Sequence, residues 1–355
     1  MKTANLLITT FLLLAFVAGK AQDIHFSQFG NSPLNLNPAL TGIFEGDRRF
    51  VANLRGQWND TPDPSPLTYR TLSLAYDMSF PNQNYQKRFF SAGILLNYDM
   101  AGDSKLTTFN LGLTGSYTVR VSKEFYLSAG GMLAYNNRSF DFSDLQFDQQ
   151  YDKETSQFDP NAANGESFSS NPSVNMFDVS GGLNLHYRHP QRSRRIFGDV
   201  GVGFMHFNEP EQAFLSDDDT EVLPMRTSIY GQATVQLFEN SKWDVLINAA
   251  HQMQSDYRET ILGAGLQWNH KWGSEEGYSI NLMINRRLED NWIPMLGFQH
   301  KNWRVTGSYD WNTSPFKAPA PNRAPALRRV GYELSIIHIW STVKDVPTKI
   351  CPVYL

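Results

Sequence analysis

The residues that could carry hydrolytic chemistry stand close together in one stretch of the chain. His251, Ser255, Asp256 and Glu259 supply a base, a hydroxyl and two carboxylates, and these are the groups that acid–base and nucleophilic catalysis use. No local signature ties them to one another, and polar residues scattered over the wall of an aqueous lumen account for the same pattern. The sequence neither assembles nor excludes a catalytic site here, and we expect a protein that is not an enzyme.

Metal and redox chemistry have equally little support. Asp217, Asp218 and Asp219, followed by Glu221, offer oxygen ligands that a calcium ion accepts, but the run lacks the alternating spacing and the glycine of a calcium loop. The single cysteine, Cys351, has no partner for an internal disulfide. We therefore expect a solvated acidic loop, an incidental thiol, and no cofactor or metal.

The elements that would have to position these residues begin with a targeting segment. Residues 6–17 form a nearly unbroken apolar run, and Gly19 and Ala21 place small side chains before a cut at Gln22. This pattern predicts a secretory signal peptide over residues 1–21. The run is too short to cross a bilayer comfortably as a helix.

The composition of the remaining chain narrows the class further. Removal of the two lysines Lys2 and Lys20 with the signal peptide moves the formal charge from −4 to −6, and this mild acidity argues against a nucleic-acid partner. Aromatic residues make up 13% of the chain and charged residues 19%, whereas an ordinary domain has about 25% charged residues. Many aromatic and few charged residues are typical of an outer-membrane barrel.

Apolar and polar residues alternate along many segments of the chain. In residues 107–119, "TTFNLGLTGSYTV", the odd positions from Phe109 to Val119 are apolar or small and the even positions are polar or small. Such alternation places one face in an apolar medium and one in water. About fourteen segments of nine to thirteen residues share it, and aromatic residues gather at their ends. We predict an all-β transmembrane antiparallel barrel of about fourteen strands over residues 48–340.

Three long connections are predicted to lie on the same side of this barrel. They span residues 138–175, 208–225 and 312–329 and follow the fifth, seventh and thirteenth predicted strands. Because outer-membrane barrels have short periplasmic turns and long outer loops, these three should be external. The last residues, 341–355, would then form a periplasmic tail.

Residues 22–47 form a segment with neither a helical nor a strand period. Its apolar residues are too many for a free tail, because linkers exposed to solvent are depleted in aromatic residues; they are Phe26, Phe29, Leu34, Leu36, Leu40, Ile43 and Phe44. Two placements remain open from the residues alone. The segment either plugs the barrel lumen or reaches a partner in the periplasm.

The start of the mature chain resembles a known family. "QDIHFSQFGNSPLNLNPALTG" at residues 22–42, followed by "FVANLRGQW" and "LTYRTLSLAYD", is similar to the start of the PorP/SprF outer-membrane proteins of the Bacteroidetes type IX secretion system. "LQFDQQYD" and "GYELSIIHIW" resemble the middle loop and the C-terminal end of that family. The final "CPVYL" departs from the basic and aromatic ending usual in the family.

The resemblance implies a non-enzymatic protein integral to the outer membrane. It would support secretion and surface attachment of an adhesin that carries a C-terminal targeting domain, with a link to gliding motility. Its partners would be that adhesin, periplasmic ring or peptidoglycan-binding components of the same system, and outer-membrane lipid. The residues nominated for partner binding are His25, Phe26, Asn37, Pro38 and Gly42 in the first motif and Phe142, Leu145, Phe147 and Asp148 in the long loop.

One alternative is a transport channel. Fatty-acid channels of the outer membrane also combine about fourteen strands with an N-terminal plug and an Asn-Pro-Ala motif, so residues 37–39 do not separate the two readings. A channel predicts movement of the plug when ligand binds and an apolar path for small hydrophobic molecules. An anchor predicts protein partners and no conductance.

Overall fold

The computed structural model describes most of the chain after residue 22. The described residues are 23–57, 69–80, 87–102, 104–141, 147–152, 157–159, 162, 172–191, 194–214, 221–271, 276–313 and 330–340. The predicted signal peptide and the predicted C-terminal tail, residues 341–355, lie outside them.

The strands form a closed antiparallel barrel of fourteen strands, with a separate two-stranded hairpin in one loop. Consecutive barrel strands pair with each other, and the last strand closes on the first. This confirms the predicted fold class.

Within the described part of the chain, no helix has the length and apolar character needed to cross a membrane. The barrel strands are β1 (Arg48–Gln57), β2 (Arg70–Phe80), β3 (Arg88–Ala101), β4 (Leu106–Arg120), β5 (Phe125–Ser139), β8 (Ser173–Arg188), β9 (Ile196–Met205), β10 (Arg226–Gln236), β11 (Trp243–Gln254), β12 (Tyr257–His270), β13 (Tyr278–Arg287), β14 (Asn291–His300), β15 (Trp303–Asn312) and β16 (Val330–Trp340), and the hairpin strands are β6 (Tyr151–Asp152) and β7 (Gln157–Phe158).

The predicted alternation explains how each strand is oriented. In β4, Thr114, Ser116 and Thr118 point inward and are buried, whereas Leu113 points outward and is 63% exposed. An exposed leucine in the middle of a long strand would be costly in water but is favourable against lipid tails. Polar groups therefore line the lumen, and apolar groups face the membrane.

Both ends of the barrel sequence meet at one rim. The N–H of Asp47, just before β1, donates to the carbonyl of Trp340, the last residue of β16, over 3.2 Å. The strand ends that flank the three long connections all lie at the opposite rim, as predicted from the strand count. Because long loops mark the outer side of such barrels, the rim at Trp340 is periplasmic and the opposite rim is external.

The wall is taller on one side than the sequence predicts. Strands β3, β4, β5 and β8 have 14 to 16 residues, and β9 has ten. The outer part of β8, before Gly181, pairs with β5 but not with β9. The loop 140–172 thus begins on a section of wall that rises above the neighbouring strands.

Aromatic side chains form a girdle at each rim. Tyr98 and Tyr135 face outward near the external rim, and Trp243 and Trp303 do so at the periplasmic rim. The rings of Trp303 and His338 stack with 4.0 Å between their centroids. Such belts lie at the boundary between the hydrocarbon and the polar headgroups.

The apolar core lies between the inner wall and residues 23–47, which we call the lumenal segment. This segment has one turn of α-helix, Pro33–Leu36, and two 3₁₀ turns, Phe29–Asn31 and Pro38–Leu40. Its side chains form two apolar clusters with the wall. The first joins Phe29, Leu36, Leu40 and Ile43 to Phe89, Tyr230, Ala250 and Ile261.

Candidate functional site

The lumenal segment crosses the whole height of the barrel. The N–H of Asp23 donates to Gln254 at the external end of β11, over 3.2 Å. The N–H of Gly42 donates to Asp77 over 2.7 Å, near the periplasmic end of β2. From Asp23 at the external mouth, the segment therefore descends through the lumen and enters β1 at the periplasmic rim.

A cluster of charges holds the external end of the segment. The carboxylate of Asp23 lies 2.8 Å from Arg226 and 3.0 Å from Nε2 of His206. Nδ1 of His206 lies 3.0 Å from Asp178. Burial alone would lower the pKa of His206, but the two carboxylates outweigh it and raise the pKa to about 9. His206 is therefore a cation at neutral pH and bridges the segment to β8.

Asp23 responds to the same neighbours in the opposite sense. Burial alone would raise the pKa of its carboxyl group, yet Arg226 and His206 together hold that pKa well below its usual range. The Arg226 guanidinium also donates to the carbonyls of Ile24 and Asn35, over 2.7 and 2.8 Å. One arginine thus binds the segment at three points.

The next layer is built on a buried carboxylate. Glu333 of β16 accepts the backbone N–H groups of Ser27 and Gln28, over 2.7 and 2.9 Å. Arg55 of β1 lies 3.2 Å from the same carboxylate and donates to the carbonyl of His25. These two N–H groups have no acceptor within a helix or sheet. The Glu333 carboxylate therefore satisfies the hydrogen bonds of irregular backbone inside the lumen.

Asn37 is the anchor in the middle of the lumen. It is fully buried, and its Oδ1 accepts the N–H of Ala39 over 2.8 Å, which caps the turn Pro38–Leu40. Its Nδ2 lies within 3.2 Å of three wall oxygens, the carbonyls of Leu183 and Val202 and the hydroxyl of Tyr230. An amide supplies both an acceptor and donors at one point, which explains an asparagine at this position.

Two wall glycines give this turn its space. A Cβ on Gly130 of β5 would lie 2.5 Å from the carbonyl oxygen of Pro38, and one on Gly203 of β9 would lie 2.5 Å from that of Leu36. Both distances are shorter than any real carbon–oxygen contact allows. The backbone of the segment therefore packs directly on the backbone of the wall.

A second arginine–carboxylate pair closes the periplasmic end. Arg49 of β1 makes two hydrogen bonds to Asp77 of β2, at 2.9 and 2.7 Å, and also donates to the carbonyl of Leu40 over 3.1 Å. Gly42 has a φ of 74°, which turns the chain so that its N–H reaches Asp77. This bidentate pair fixes the point where the segment turns into β1.

The nominated residues of the first motif all lie in the lumen. Phe26, Asn37, Pro38 and Gly42 are buried, and His25 is half-buried beside Glu259, with 3.5 Å between Nε2 and Oε2. In this state they hold the segment to the barrel, and a partner could touch the buried ones only if the segment left the lumen. Their role in partner binding stays a prediction.

The nominated loop residues are described only in part. Phe142 and Leu145 lie outside the described residues, Phe147 is half-buried, and Asp148 is exposed. Asp148 opens a 3₁₀ turn, Asp148–Gln150, that leads into the hairpin β6–β7. The N–H of Phe147 donates to the side chain of Gln150 over 3.1 Å. The loop therefore has local order of its own at this position.

The residues considered for catalysis do not meet. His251 points outward from β11 and hydrogen-bonds Thr260 over 2.8 Å, whereas Glu259 points inward and pairs with Arg287 at 2.9 Å. The acid and the base thus lie on opposite faces of the wall. Among the described residues no group of His, Cys, Asp or Glu has the geometry of a metal site; Asp217–Asp219 and Cys351 lie outside them.

Sequence reasoning missed the charged residues that bind the segment. Asp77, Arg226 and Glu333 occupy inward positions of predicted strands, and the period of two would have placed them in the lumen. Arg195, just before β9, is likewise buried, with its guanidinium 2.8 Å from Asp244. The alternation along each strand does not show which opposite charges meet, because that depends on which residues face each other across the barrel.

The chain is similar to known outer-membrane proteins in sequence and in fold. The model of a family described as "Type IX secretion system membrane protein PorP/SprF" matches residues 18–323. No curated protein matches the chain. Similar solved structures include the Ralstonia pickettii toluene transporter TbuX, with 11% identity, 87% of this chain and 94% of that chain covered, and a TM-score of 0.45. A Pseudomonas aeruginosa FadL homologue is also similar, with 11% identity, coverage of 82% and 90%, and a TM-score of 0.41.

Proposed function

Since the chain belongs to the type IX secretion system membrane protein family PorP/SprF, we propose that it anchors a secreted adhesin at the cell surface. In this proposal the outer-membrane barrel is not an enzyme. It supports the secretion and attachment of an adhesin with a C-terminal targeting domain, and in gliding cells it takes part in motility. The observation that carries the proposal is a lumen filled from rim to rim by the protein's own N-terminal segment.

The filled lumen favours a scaffold over a pore. Hydrogen bonds and ion pairs join the lumenal segment to strands on every side of the barrel, including β2, β8, β10 and β16. Removing one partner of a buried ion pair costs about 3–5 kcal/mol. Asp23 pairs with Arg226 and His206, and the carboxylates of the wall pairs Arg49–Asp77 and Arg55–Glu333 accept backbone N–H groups of the segment. An interior of this kind keeps the barrel rigid when force is applied at the external rim.

The external rim offers a surface on which a large client could bind. The tall wall of β5 and β8 carries the loop 140–172, and Phe140 of this loop packs edge-on against Phe214 of the loop 206–225 at 5.0 Å. Two long loops therefore support each other beside the barrel mouth. Within this surface, Phe142, Leu145, Phe147 and Asp148 are the proposed contacts, because aromatic anchors contribute most to many protein interfaces.

The periplasmic rim would meet the other components of the secretion system. Its connections are short, for example residues 121–124 and 301–302, so it presents a compact surface. Periplasmic ring or peptidoglycan-binding proteins would bind there. Most of the segment 23–47 lies inside the lumen, so only its last residues, such as the exposed Glu45, would be available for this contact.

The transport alternative requires a larger change. A hydrophobic solute could pass only after the segment gave up its contacts with Asp77, Glu333 and Arg226. The inner wall along any such path carries many charged and amide side chains, whereas an apolar solute needs an apolar path. The contacts of the segment therefore favour the anchor.

A loop exchange tests the proposal in cells. Residues 142–171 are replaced by a short glycine–serine linker, and residues 314–329, in another external loop, are replaced in a matched control. We expect the adhesin to appear in the medium in the first strain and to stay on the cells in the second, with equal amounts of barrel in both outer membranes. Adhesin that stays on the surface in the first strain would contradict the role of this loop.

A further inference from the structure

A cavity remains between the lumenal segment and the wall in the periplasmic half of the barrel. Its volume is about 150 Å³, and its wall is formed by strands from β9 to β16 and by β1. Near the rim it is lined by Arg304 and Ile339, and farther in by Leu246, Met283 and Met295. No part of the proposed anchoring role uses this space.

Arg304 differs in its partner from the arginines that hold the segment. Arg49, Arg55, Arg226 and Arg287 each lie within 3.2 Å of a carboxylate oxygen. Arg304 points into the lumen, yet its hydrogen-bond partner is the neutral side chain of Gln299, at 3.1 and 3.3 Å.

The guanidinium of Arg304 therefore has a donor group that no described residue accepts. Both of its bonds go to the same oxygen of Gln299, from Nε and Nη2, and Nη1 has no partner among the described residues. Two other charged side chains line the cavity. Arg49 is bonded to Asp77 and to carbonyls of the segment, and Asp199 accepts hydrogen bonds from Asn184 and Gln232. The part of the cavity at Arg304 has an excess positive charge, which a carboxylate would neutralise with two parallel hydrogen bonds.

Apolar side chains form part of the cavity lining. They are Leu40, Ile43 and Phe44 of the segment and Leu246 and Met283 of the wall, and amide side chains such as Gln232 and Asn281 line the cavity as well. An engineered apolar cavity of about 150 Å³ accepts a benzene molecule. We propose that this cavity binds a small organic acid, with its carboxylate on Arg304 and a short aliphatic chain or a single aromatic ring against the apolar wall.

The site would be reached from the periplasm and would be closed toward the outside. Gln28, Gly30 and Asn31 line its inner end, and the side chain of Gln28 is held by Ser308 over 2.9 Å and by the carbonyl of Glu333 over 3.1 Å. A ligand bound here does not pass through the barrel. The site is thus a receptor for a small acid, and its existence does not depend on the anchoring function.

Titration calorimetry on the full-length protein in lipid nanodiscs tests the proposal. The probe is benzoate, and benzyl alcohol serves as the neutral analogue of similar size. Arg304→Gln removes the charge, Arg304→Lys keeps it, and Met283→Trp fills the apolar part. Lys301→Gln removes a charge from the exposed turn 301–302 at the same end of β15 and is the matched control.

Folding of each variant is checked by the shift in migration that a folded barrel shows after heating. We expect saturable benzoate binding that Arg304→Gln weakens by about tenfold or more, that Met283→Trp abolishes, and that Arg304→Lys partly preserves. Lys301→Gln should bind as the unaltered protein does, and benzyl alcohol should bind more weakly by a similar factor.

Three results would overturn the proposal. The first is the absence of saturable benzoate binding up to about 10 mM. The second is equal affinity in the unaltered protein and in Arg304→Gln. The third is binding that survives in a folded Met283→Trp variant, since this would place the acid elsewhere on the protein.

Discussion

Asn37 offers the most direct test of how the lumenal segment is held. Its side chain caps the turn Pro38–Leu40 and reaches two wall carbonyls and the hydroxyl of Tyr230. Asn37→Ala removes these bonds, each worth about 0.5–1.5 kcal/mol net. Because neighbouring bonds are not additive, we expect a loss of about 2–4 kcal/mol in the docking of the segment.

Chemical labelling measures this loss. Ser32 is buried in the segment, and Ser32→Cys introduces a thiol of similar size in a Cys351→Ser background. When opening and closing are fast, the rate of reaction with a soluble maleimide follows the population of the open state. A loss of 2–4 kcal/mol should therefore raise the labelling rate by roughly 30- to 700-fold.

The control is the neighbouring amide of Asn31. Among the described residues its side chain donates only to Gln28 within the segment, so Asn31→Ala should change the labelling rate by less than about fivefold. Asn37→Asp should label at least as fast as Asn37→Ala, because an oxygen would then face the carbonyls of Leu183 and Val202. Equal rates for Asn37→Ala and Asn31→Ala would refute the reasoning.

Three further predictions concern the barrel wall. Gly130→Ala should displace the segment and raise the labelling rate of Ser32→Cys, because the new Cβ would lie 2.5 Å from the carbonyl oxygen of Pro38. Gly131→Ala is the control and should leave the rate unchanged, because its Cβ would lie 3.6 Å from the nearest atom, the carbonyl oxygen of Ser180. The pKa of His206 is raised to about 9, so the stability that its charge contributes is complete below about pH 6.5 and is lost as the pH rises through 9. The midpoint temperature of the migration shift should therefore fall between pH 7 and pH 10. The fall should be smaller in His206→Gln, which has no such charge to lose. Asp244→Asn leaves the buried guanidinium of Arg195 without its carboxylate and should lower the free energy of unfolding by about 3–5 kcal/mol. The midpoint temperature at pH 7 should fall accordingly. Glu239→Gln in the adjacent turn is the control and should leave the midpoint unchanged.

The barrel itself could be predicted because each strand carries the signal alone. In β4 the contrast between Thr114, which is buried, and Leu113, which faces lipid, is visible in the sequence without any knowledge of the neighbouring strands. The side of each long loop followed from counting strands. The height of the wall did not follow, because the outer part of β8 stays a strand by pairing with β5 above the end of β9.

The interior of the barrel could not be predicted in the same way. An inward aspartate such as Asp77 looks the same in the sequence whether it faces water or Arg49. The choice depends on which residues meet across the lumen, and Asn37 touches Leu183 and Val202, far away in the chain. For the same reason the sequence left open whether residues 22–47 fill the lumen or leave it.

The width of the barrel gives a physical reason for the unusual composition of the lumenal segment. Side chains of the wall fill a barrel of about eight strands, but fourteen strands leave a space that they cannot close. A regular helix would present an apolar or polar stripe, whereas this lumen offers a carboxylate at Glu333, an arginine at Arg49 and apolar patches at irregular intervals. Isolated apolar residues separated by Asn, Ser, Pro and Gly meet such a surface, because short turns allow each side chain and each free N–H to reach a different strand. The segment from Asp23 to Asp47 is therefore as much a part of the barrel core as the strands, and we expect its deletion to prevent stable folding and not merely to open a pore.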